Sequence, residues 1–350
     1  MRRLMSIFSM LCALMGCTAQ NNNFQSVEVD EFDNIINSGD VLLVDVRTAS
    51  EYASGHIDGA LNIDVQQSDF KQKATMLPAD KTIAVYCRSG RRSKKAASIL
   101  ADSSYKVVEL NNGIKEWTAV GKPVTTEVAD VFTTKNGIKI KMYCIKHGSI
   151  RMQIGDKWIY VDPVTKAAQP VTDYTSMPKA DAILITHEHG DHLDKEAISQ
   201  LSTQETMLIV NPRSNEVLGG KGAAMKNGEE KTLFGTIKIE AVPAYNTSAE
   251  KQNFHPKGRD NGYILTVDGF RIYVAGDTED IAELDKIKDI DVAFMPCNLP
   301  YTMTVEQLAK AAKTVSPKVL FPYHYGNTEI AKAAEQLKGT AIEVRIRQYQ

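Results

Sequence analysis

Four side chains able to hold a metal ion fall within six positions at His187-Glu188-His189-Gly190-Asp191-His192. The chain has only seven histidines, so three of them in one hexapeptide is not chance spacing. The apolar run Ala182-Ile183-Leu184-Ile185-Thr186 precedes the cluster and reads as a strand, which places the cluster in a loop at a strand end. From such a loop His187 and His189 can converge on one ion while Asp191 and His192 converge on a second beside it. A water bound there falls in pKa from about 15.7 to about 7, supplying hydroxide at neutral pH, and the ion polarises the attacked carbonyl or phosphoryl oxygen. Asp191 then orients that water or accepts a proton. Zinc suits the mixed imidazole and carboxylate set, as one or two ions, and manganese or iron fits the same ligands.

A second constellation is built on sulfur. The strand-like run Thr82 to Tyr86 leads straight into Cys87-Arg88-Ser89-Gly90-Arg91-Arg92-Ser93, and a helix begins there. Such a loop aims backbone N–H groups, the helix dipole and the guanidinium groups at one point, which favours a thiolate and an anionic ligand. Cys87 is therefore expected to have a lowered pKa and high nucleophilicity. The other cysteines form no C-x-x-C pair, which excludes a disulfide scaffold. Cys144 and Cys297 lie in strand-like runs and are expected as small buried apolar residues.

The elements that position these groups divide the chain in two. Residues 24–127 alternate short apolar strands (Val41 to Val44, Thr82 to Tyr86, Lys106 to Leu110) with helix-like runs (Glu31 to Asn37, Ser93 to Ala101), the pattern of a parallel α/β unit. A junction follows at Gly121-Lys122-Pro123, with a turn signal at Asn136-Gly137. Residues 138–348 open on successive strands (Ile138 to Ile145, Ser149 to Ile154, Trp158 to Asp162) and later add helix-like runs, predicting a two-sheet layered α/β sandwich.

The first unit resembles a single-domain rhodanese over its whole length. The resembling residues are Val44-Asp45-Val46-Arg47, Glu51-Tyr52, Gly55-His56-Ile57-Asp58-Gly59-Ala60, the Cys87 to Arg92 loop and Asn112-Gly113-Ile114-Lys115-Glu116-Trp117. The resemblance implies a sulfurtransferase: Cys87 accepts a sulfane sulfur as a persulfide, cradled by Arg88, Ser89, Gly90, Arg91 and Arg92, and passes it to a thiol acceptor. Phosphatases of the same fold need a loop one residue longer, with arginine sixth after the cysteine, where this chain has Ser93. Asp45, Arg47 and His56 are expected to hold loops together.

The second unit resembles the metallo-β-lactamase superfamily from about Ile138 to Ile346, nearest to the ascorbate-6-phosphate-lactonase-like hydrolases. The likeness rests on the histidine cluster with Tyr160-Val161-Asp162-Pro163, Ala275-Gly276-Asp277-Thr278 and Pro322-Tyr323-His324-Tyr325-Gly326. It implies an αββα sandwich in which Asp277 bridges two ions and His324 completes the second site. One departure matters: where many relatives place a histidine, this chain reads Pro243-Ala244-Tyr245-Asn246. Either Asn246 ligates through its carbonyl oxygen, or His255 reaches in from the loop Thr247 to Asn261, or only one ion is held tightly. Tyr245, Lys257, Arg259 and Tyr323 border the site and are expected to meet an anionic substrate if they act at all.

At the N-terminus Arg2 and Arg3 precede an apolar stretch, Leu4 to Met15, too short to span a bilayer. Leu14-Met15-Gly16-Cys17 resembles a bacterial lipobox, implying a signal peptide over 1–16, lipidation of Cys17 and a tether over 17–23. The expected location is the periplasmic side of the cell envelope, with membrane contact by lipid anchor only. With Lys+Arg 41 against Asp+Glu 43 and a net charge of -2, no bulk basic field exists to hold a nucleic acid. The leading reading is thus a bifunctional lipoprotein joining persulfide transfer to metal-dependent hydrolysis of a small ester, lactone or phosphoester-like molecule. Two alternatives stand beside it: an iron-dependent persulfide dioxygenase fused to a rhodanese, and a hydrolase whose rhodanese part is a non-catalytic binding or redox module.

Overall fold

The computed structural model describes residues 23–38, 41–167 and 171–347, so the segment carrying Arg2, Arg3 and Cys17 lies outside the described residues. No helix among the described residues is long and apolar enough to cross a membrane.

The first unit runs β1 (Gln25–Val27), α1 (Val29–Ile36), β2 (Val41–Asp45), α2 (Ala49–Ala53), β3 (Leu61–Asn62), α3 (Phe70–Ala74), β4 (Thr82–Tyr86), α4 (Arg91–Asp102), β5 (Val107–Leu110) and α5 (Gly113–Ala119). Its sheet has the order β1-β5-β4-β2-β3, every pairing parallel. The short apolar strands are buried on both faces, as crossover helices require. Phe32 and Ile36 of α1 pack with Ile114 and Trp117 of α5 on one face, and Phe70 and Ala74 of α3 with Ala96, Ala97 and Leu100 of α4 on the other. The capping box of Thr48 and Glu51 starts α2.

The second unit begins with β6 (Asp130–Thr133), β7 (Lys139–Lys146), β8 (Ser149–Ile154), β9 (Lys157–Val161), β10 (Ala182–Ile185), α6 (Lys195–Leu201), β11 (Met207–Val210), α7 (Pro212–Val217) and β12 (Ala223–Ala224). It continues with β13 (Glu230–Leu233), β14 (Ile237–Ala244), β15 (Asp260–Val267), β16 (Phe270–Val274), β17 (Val292–Pro296), α8 (Val305–Val315), β18 (Val319–Tyr323), α9 (Ala331–Gln336) and β19 (Glu343–Val344). The strands form two sheets, ordered β12 to β6 and β13 to β19 in unbroken sequence. Met152, Ile159 and Leu184 of one sheet meet Ile239, Leu265, Phe294 and Phe321 of the other in the central core. Residues one position along face outward: Ile183 and Ile185 pack under α6, while Ala293 and Leu320 pack under α8. The result is the αββα sandwich.

Strand β6 lies in the stretch that pattern leaves between the two units, yet it pairs with β7 and belongs to the second unit's sheet. Its Asp130 is buried and accepts from Arg345 Nη1 at 2.9 Å and Arg347 Nη2 at 2.6 Å, tying the C-terminal residues to the junction. Asp58, on the turn after His56, accepts from Lys141 Nζ at 2.5 Å and Tyr143 Oη at 3.1 Å, so the two units meet there. His56 is fully buried, stacks on Tyr52 and sets its ring nitrogens 3.0 and 3.1 Å from the carbonyls of Tyr52 and Glu127. Asp45 and Arg47 form a buried bidentate pair. All three residues do structural work.

Candidate functional site

The strands that lead into the metal-capable residues run parallel within each sheet, β9 with β10 and β16 with β17 and β18, so their C-terminal ends open on one edge of the sandwich. Asp162 follows β9, His187 follows β10, Asp277 follows β16 and His324 follows β18. His147, Asp162 and His324 all have positive φ, at 50°, 44° and 49°. Non-glycine residues held there cost on the order of 1–3 kcal/mol each and gather where a site over-determines them. Two glycines give room: a Cβ on Gly148 would sit 2.9 Å from the His192 ring, and one on Gly276 would sit 2.7 Å from the Asn261 carbonyl.

Six of the seven histidines meet at this edge. Ligand atoms of His187, His189 and His255 lie within 4.8 Å of one another, as do those of His147, Asp191, His192 and His324, and those of His187, His192 and Asp277. Asp277 sits between the groups, with Oδ1 3.4 Å from His192 Nε2 and Oδ2 3.5 Å from Nε2 of both His255 and His324. The Nε2 atoms of His187, His192 and His324 and Oδ1 of Asp277 are buried without a hydrogen-bond partner. Each such orphan costs about 1–3 kcal/mol, and four converging on one space fit a divalent cation.

The far side of each ring is held. His192 Nδ1 donates to Asp162 Oδ2 at 2.8 Å; Thr186 Oγ1 donates to the same oxygen at 2.6 Å and stands 2.9 Å from His187 Nδ1. His255 Nδ1 donates to Asp260 Oδ2 at 3.1 Å, and His324 Nδ1 lies 3.4 Å from Asn298 Nδ2. These contacts fix the rings with Nε2 turned inward, the usual support for imidazole ligands. Burial, helped by the charge of His192, drives the His187 pKa well below normal, keeping it neutral as a ligand must be. Burial opposes the His192 proton and the Asp277 charge alike, yet Asp277 and Asp162 hold the imidazole well above its usual value. The charges of His324 and His192 likewise hold Asp277 well below the carboxylate range. A cation replaces that proton when it binds.

Of the residues singled out from sequence, His187, His189, Asp191, His192, Asp277 and His324 all come together here. Of the alternatives raised at Asn246, the structure brings His255, 1% exposed, together with His187 and His189. Asn246 is buried, its Nδ2 donating to the carbonyls of Lys251 and Tyr301, and its Oδ1 has no partner. His255 is delivered by a stapled loop. Glu279, fully buried two residues after Asp277, accepts from Thr247 N, Ser248 N, Ser248 Oγ and Lys251 Nζ, each at 2.7 Å, while Asn246 N donates to His255 O at 2.8 Å.

His147 was missed. It stands alone between two strands, its Nε2 2.9 Å from Asp191 Oδ2 and its ring 3.7 Å from that of His324. The available signal was a histidine beside glycine at a strand-to-strand turn. The anion-contacting role expected of Lys257 and Arg259 is not supported by their partners. Lys257 pairs with Glu283 at 2.9 Å, Arg259 pairs with Asp260 at 2.7 Å and Glu188 at 3.1 Å, and Tyr323 is fully buried in the core. Carboxylates already neutralise both cations. A cleft of about 650 Å³ is lined by Asn298, Leu299, Thr304, Gly326 and Thr328.

The cysteine loop turns between β4 and α4 at Gly90, whose φ of 88° is left-handed. Cys87 is 1% exposed. The N-terminus of α5 seals the loop: Ile114 N donates to Cys87 O at 2.8 Å and Lys115 N to Arg88 O at 3.1 Å. Arg88, Ser89 and Arg91 are exposed, but Arg92 is bidentate to Glu51 at 2.7 and 2.6 Å, a pairing that pulls the Glu51 pKa down to about 2. A cleft of about 440 Å³ beside the loop is lined by Arg47, Glu51, Arg88 and Lys115. Cys297 is buried and Cys144 half-buried, and neither is in a disulfide.

Comparison with known proteins matches residues 141–324 to the beta-lactamase superfamily domain and residues 28–120 to the rhodanese-like domain. The chain is 31% identical over 221 residues to a metal-dependent hydrolase of Thermococcus kodakarensis, a match covering 60% of this chain and 96% of that one. It is 30% identical over 195 residues to one of Pyrococcus abyssi, covering 53% and 84%. Among solved structures, one from Parabacteroides distasonis assigned as a metal-dependent hydrolase is 53% identical with a TM-score of 0.62, covering 64% of this chain and 100% of that one.

Proposed function

The chain belongs to the β-lactamase superfamily as a metal-dependent hydrolase with a rhodanese-like domain, and from that premise we propose that its histidine edge holds two divalent ions, zinc by preference. The observation that carries this reading is the convergence of orphaned buried donors on His187, His192, Asp277 and His324. His187, His189 and His255 hold the first ion, Asp191, His192 and His324 the second, and Asp277 lies between them. When bound, the ions supply hydroxide at neutral pH and polarise the bond under attack. Asp162 and Asp260 accept from Nδ1 of His192 and His255, which orients both rings with Nε2 turned inward. Asp191, with its side chain 40% exposed, is placed to take or return the substrate's proton, steadied by His147. Because Lys257 and Arg259 are already paired, a neutral or singly charged ester, thioester or lactone fits better than a multiply charged phosphate.

The rhodanese-like domain takes a sulfane sulfur from a donor onto Cys87 as a persulfide and passes it to a thiol. Ser93 at the sixth position after Cys87 supports sulfur over phosphate chemistry. Lipidation at Cys17 would place both sites at the periplasmic face of the envelope.

Elemental analysis of the purified chain tests the metal reading: about two equivalents of zinc or manganese are expected, falling in an Asp191→Ala, His192→Ala variant. About one equivalent of iron, with oxygen uptake on glutathione persulfide, would replace hydrolysis by persulfide oxidation, the reading the rhodanese fusion favours. Glu279→Gln should release the loop that carries His255 and weaken ion affinity by about 10- to 100-fold in chelator competition. Unchanged affinity would remove His255 from the ligand set.

A further inference from the structure

Beneath the Cys87 loop lies a buried carboxyl group that persulfide chemistry as described above does not use. Glu109 stands on β5 in register with Val85 of β4 and is fully buried. Its Oε1 is 2.7 Å from Ser93 Oγ and its Oε2 2.5 Å from Ser26 Oγ. Ser93, also fully buried, has Oγ 3.3 Å from Cys87 Sγ and 3.1 Å from Gly90 O. Among the described residues no salt bridge reaches Glu109. The charged groups facing it are Glu28, beside β1, and Lys94 on α4, whose Nζ donates to Asn111 Oδ1 at 2.9 Å. Arg92, which faces Cys87, is committed to Glu51.

Ser93 has one hydroxyl hydrogen and three acceptors around it. An ionised Glu109 can only accept, and at 2.7 Å it claims that hydrogen, leaving a serine lone pair toward sulfur. The thiol proton of Cys87 then points at Ser93 Oγ. We propose that Glu109 is the proton acceptor for Cys87, acting through Ser93. The S–H bond of Cys87 breaks as its proton joins Ser93 Oγ, and the serine's own hydrogen passes to Glu109 Oε1. The products are a Cys87 thiolate, an intact serine hydroxyl and a neutral carboxylic acid. The pocket keeps the same net charge throughout, so no second buried charge is created. Burial raises the Glu109 pKa, which favours the acid form on the product side. The proposal rests on the persulfide reading only for what the thiolate goes on to attack.

The test is site-resolved alkylation of Cys87 in the full chain by iodoacetamide, followed by mass spectrometry from about pH 5 to about pH 10. A coupled pair titrates in two macroscopic steps. The unmodified chain should show a plateau of reactivity at low pH, where thiolate forms at the expense of Glu109, then a second rise. Glu109→Gln should collapse the profile to one step and slow alkylation near pH 6 by about tenfold, with little change at about pH 10. Ser93→Ala should lose the plateau as well, and it carries the test should Glu109→Gln not fold. Superimposable profiles overturn the proposal. So does faster alkylation of Glu109→Gln near pH 6, which would mean that Glu109 merely repels the thiolate. A two-step profile without any sulfur uptake from thiosulfate would sink the persulfide reading and leave the relay standing.

Discussion

Asp277→Asn is expected to strip the chain of at least one metal equivalent and to lower hydrolase activity by about a hundredfold to a thousandfold, while the protein stays folded. The side chain is 3% exposed and faces Nε2 of His192, His255 and His324 at 3.4 to 3.5 Å. Among the described residues it is the only carboxylate within 4 Å of inward nitrogens in both histidine groups, so its charge would be shared by two adjoining cations. Asparagine has the same shape without the charge, and its amide N–H can donate to the inward nitrogens that are otherwise unpartnered. The measurement pairs elemental analysis with thermal unfolding with and without a chelator. The unmodified chain should lose stability when chelated, and Asp277→Asn should not. Retention of two equivalents in the variant would show that Asp277 does not bridge.

The second large effect is expected at Gly113→Ala, which should destabilise the rhodanese-like domain by about 3 kcal/mol or more. Gly113 has φ of 64°, and a Cβ there would lie 2.4 Å from Cys87 O and 2.7 Å from Arg88 C. Neither contact is with a flexible side chain. The methyl group must push α5 away from the cysteine loop and break the bonds from Ile114 N and Lys115 N that close it. In a domain of this size the melting transition should fall by roughly 10–20 °C, Cys87 should become more accessible to alkylation, and the metal content should hold. A transition unmoved by the substitution would mean that the loop is not sealed by α5.

Several features of the chain were legible in one dimension. His187, His189, Asp191 and His192 share one loop, so their spacing along the backbone is close to their spacing in space. The Cys87 loop is contiguous in the same way, and the strand before it and the helix after it announce themselves by apolar period. Asp277 and His324 could be carried over because each sits in a short signature at a strand end.

Other features exist only once the sheets are packed. His147 lies 40 residues before the cluster and His255 63 residues after it, too far along the chain for either to be read as part of the same site. Their arrival depends on the turn between β7 and β8, and on the hydrogen bonds by which Glu279, Lys251 and Asn246 hold the 247–255 loop. Strand β6 was hidden because four residues with one buried aspartate show no alternation, and its partner supplies the reason for its shape. Lys257 and Arg259 looked free for a substrate because two of their carboxylate partners, Glu283 and Glu188, come from segments distant in the chain. Glu109 is one acid in an otherwise apolar strand, and only Ser26 and Ser93, which reach it from two other elements, give it meaning. Sequence determined the chemistry that each loop can offer, because that depends on residues joined by a few peptide bonds. Tertiary structure decided which loops share a site, because that depends on packing between strands far apart in the chain.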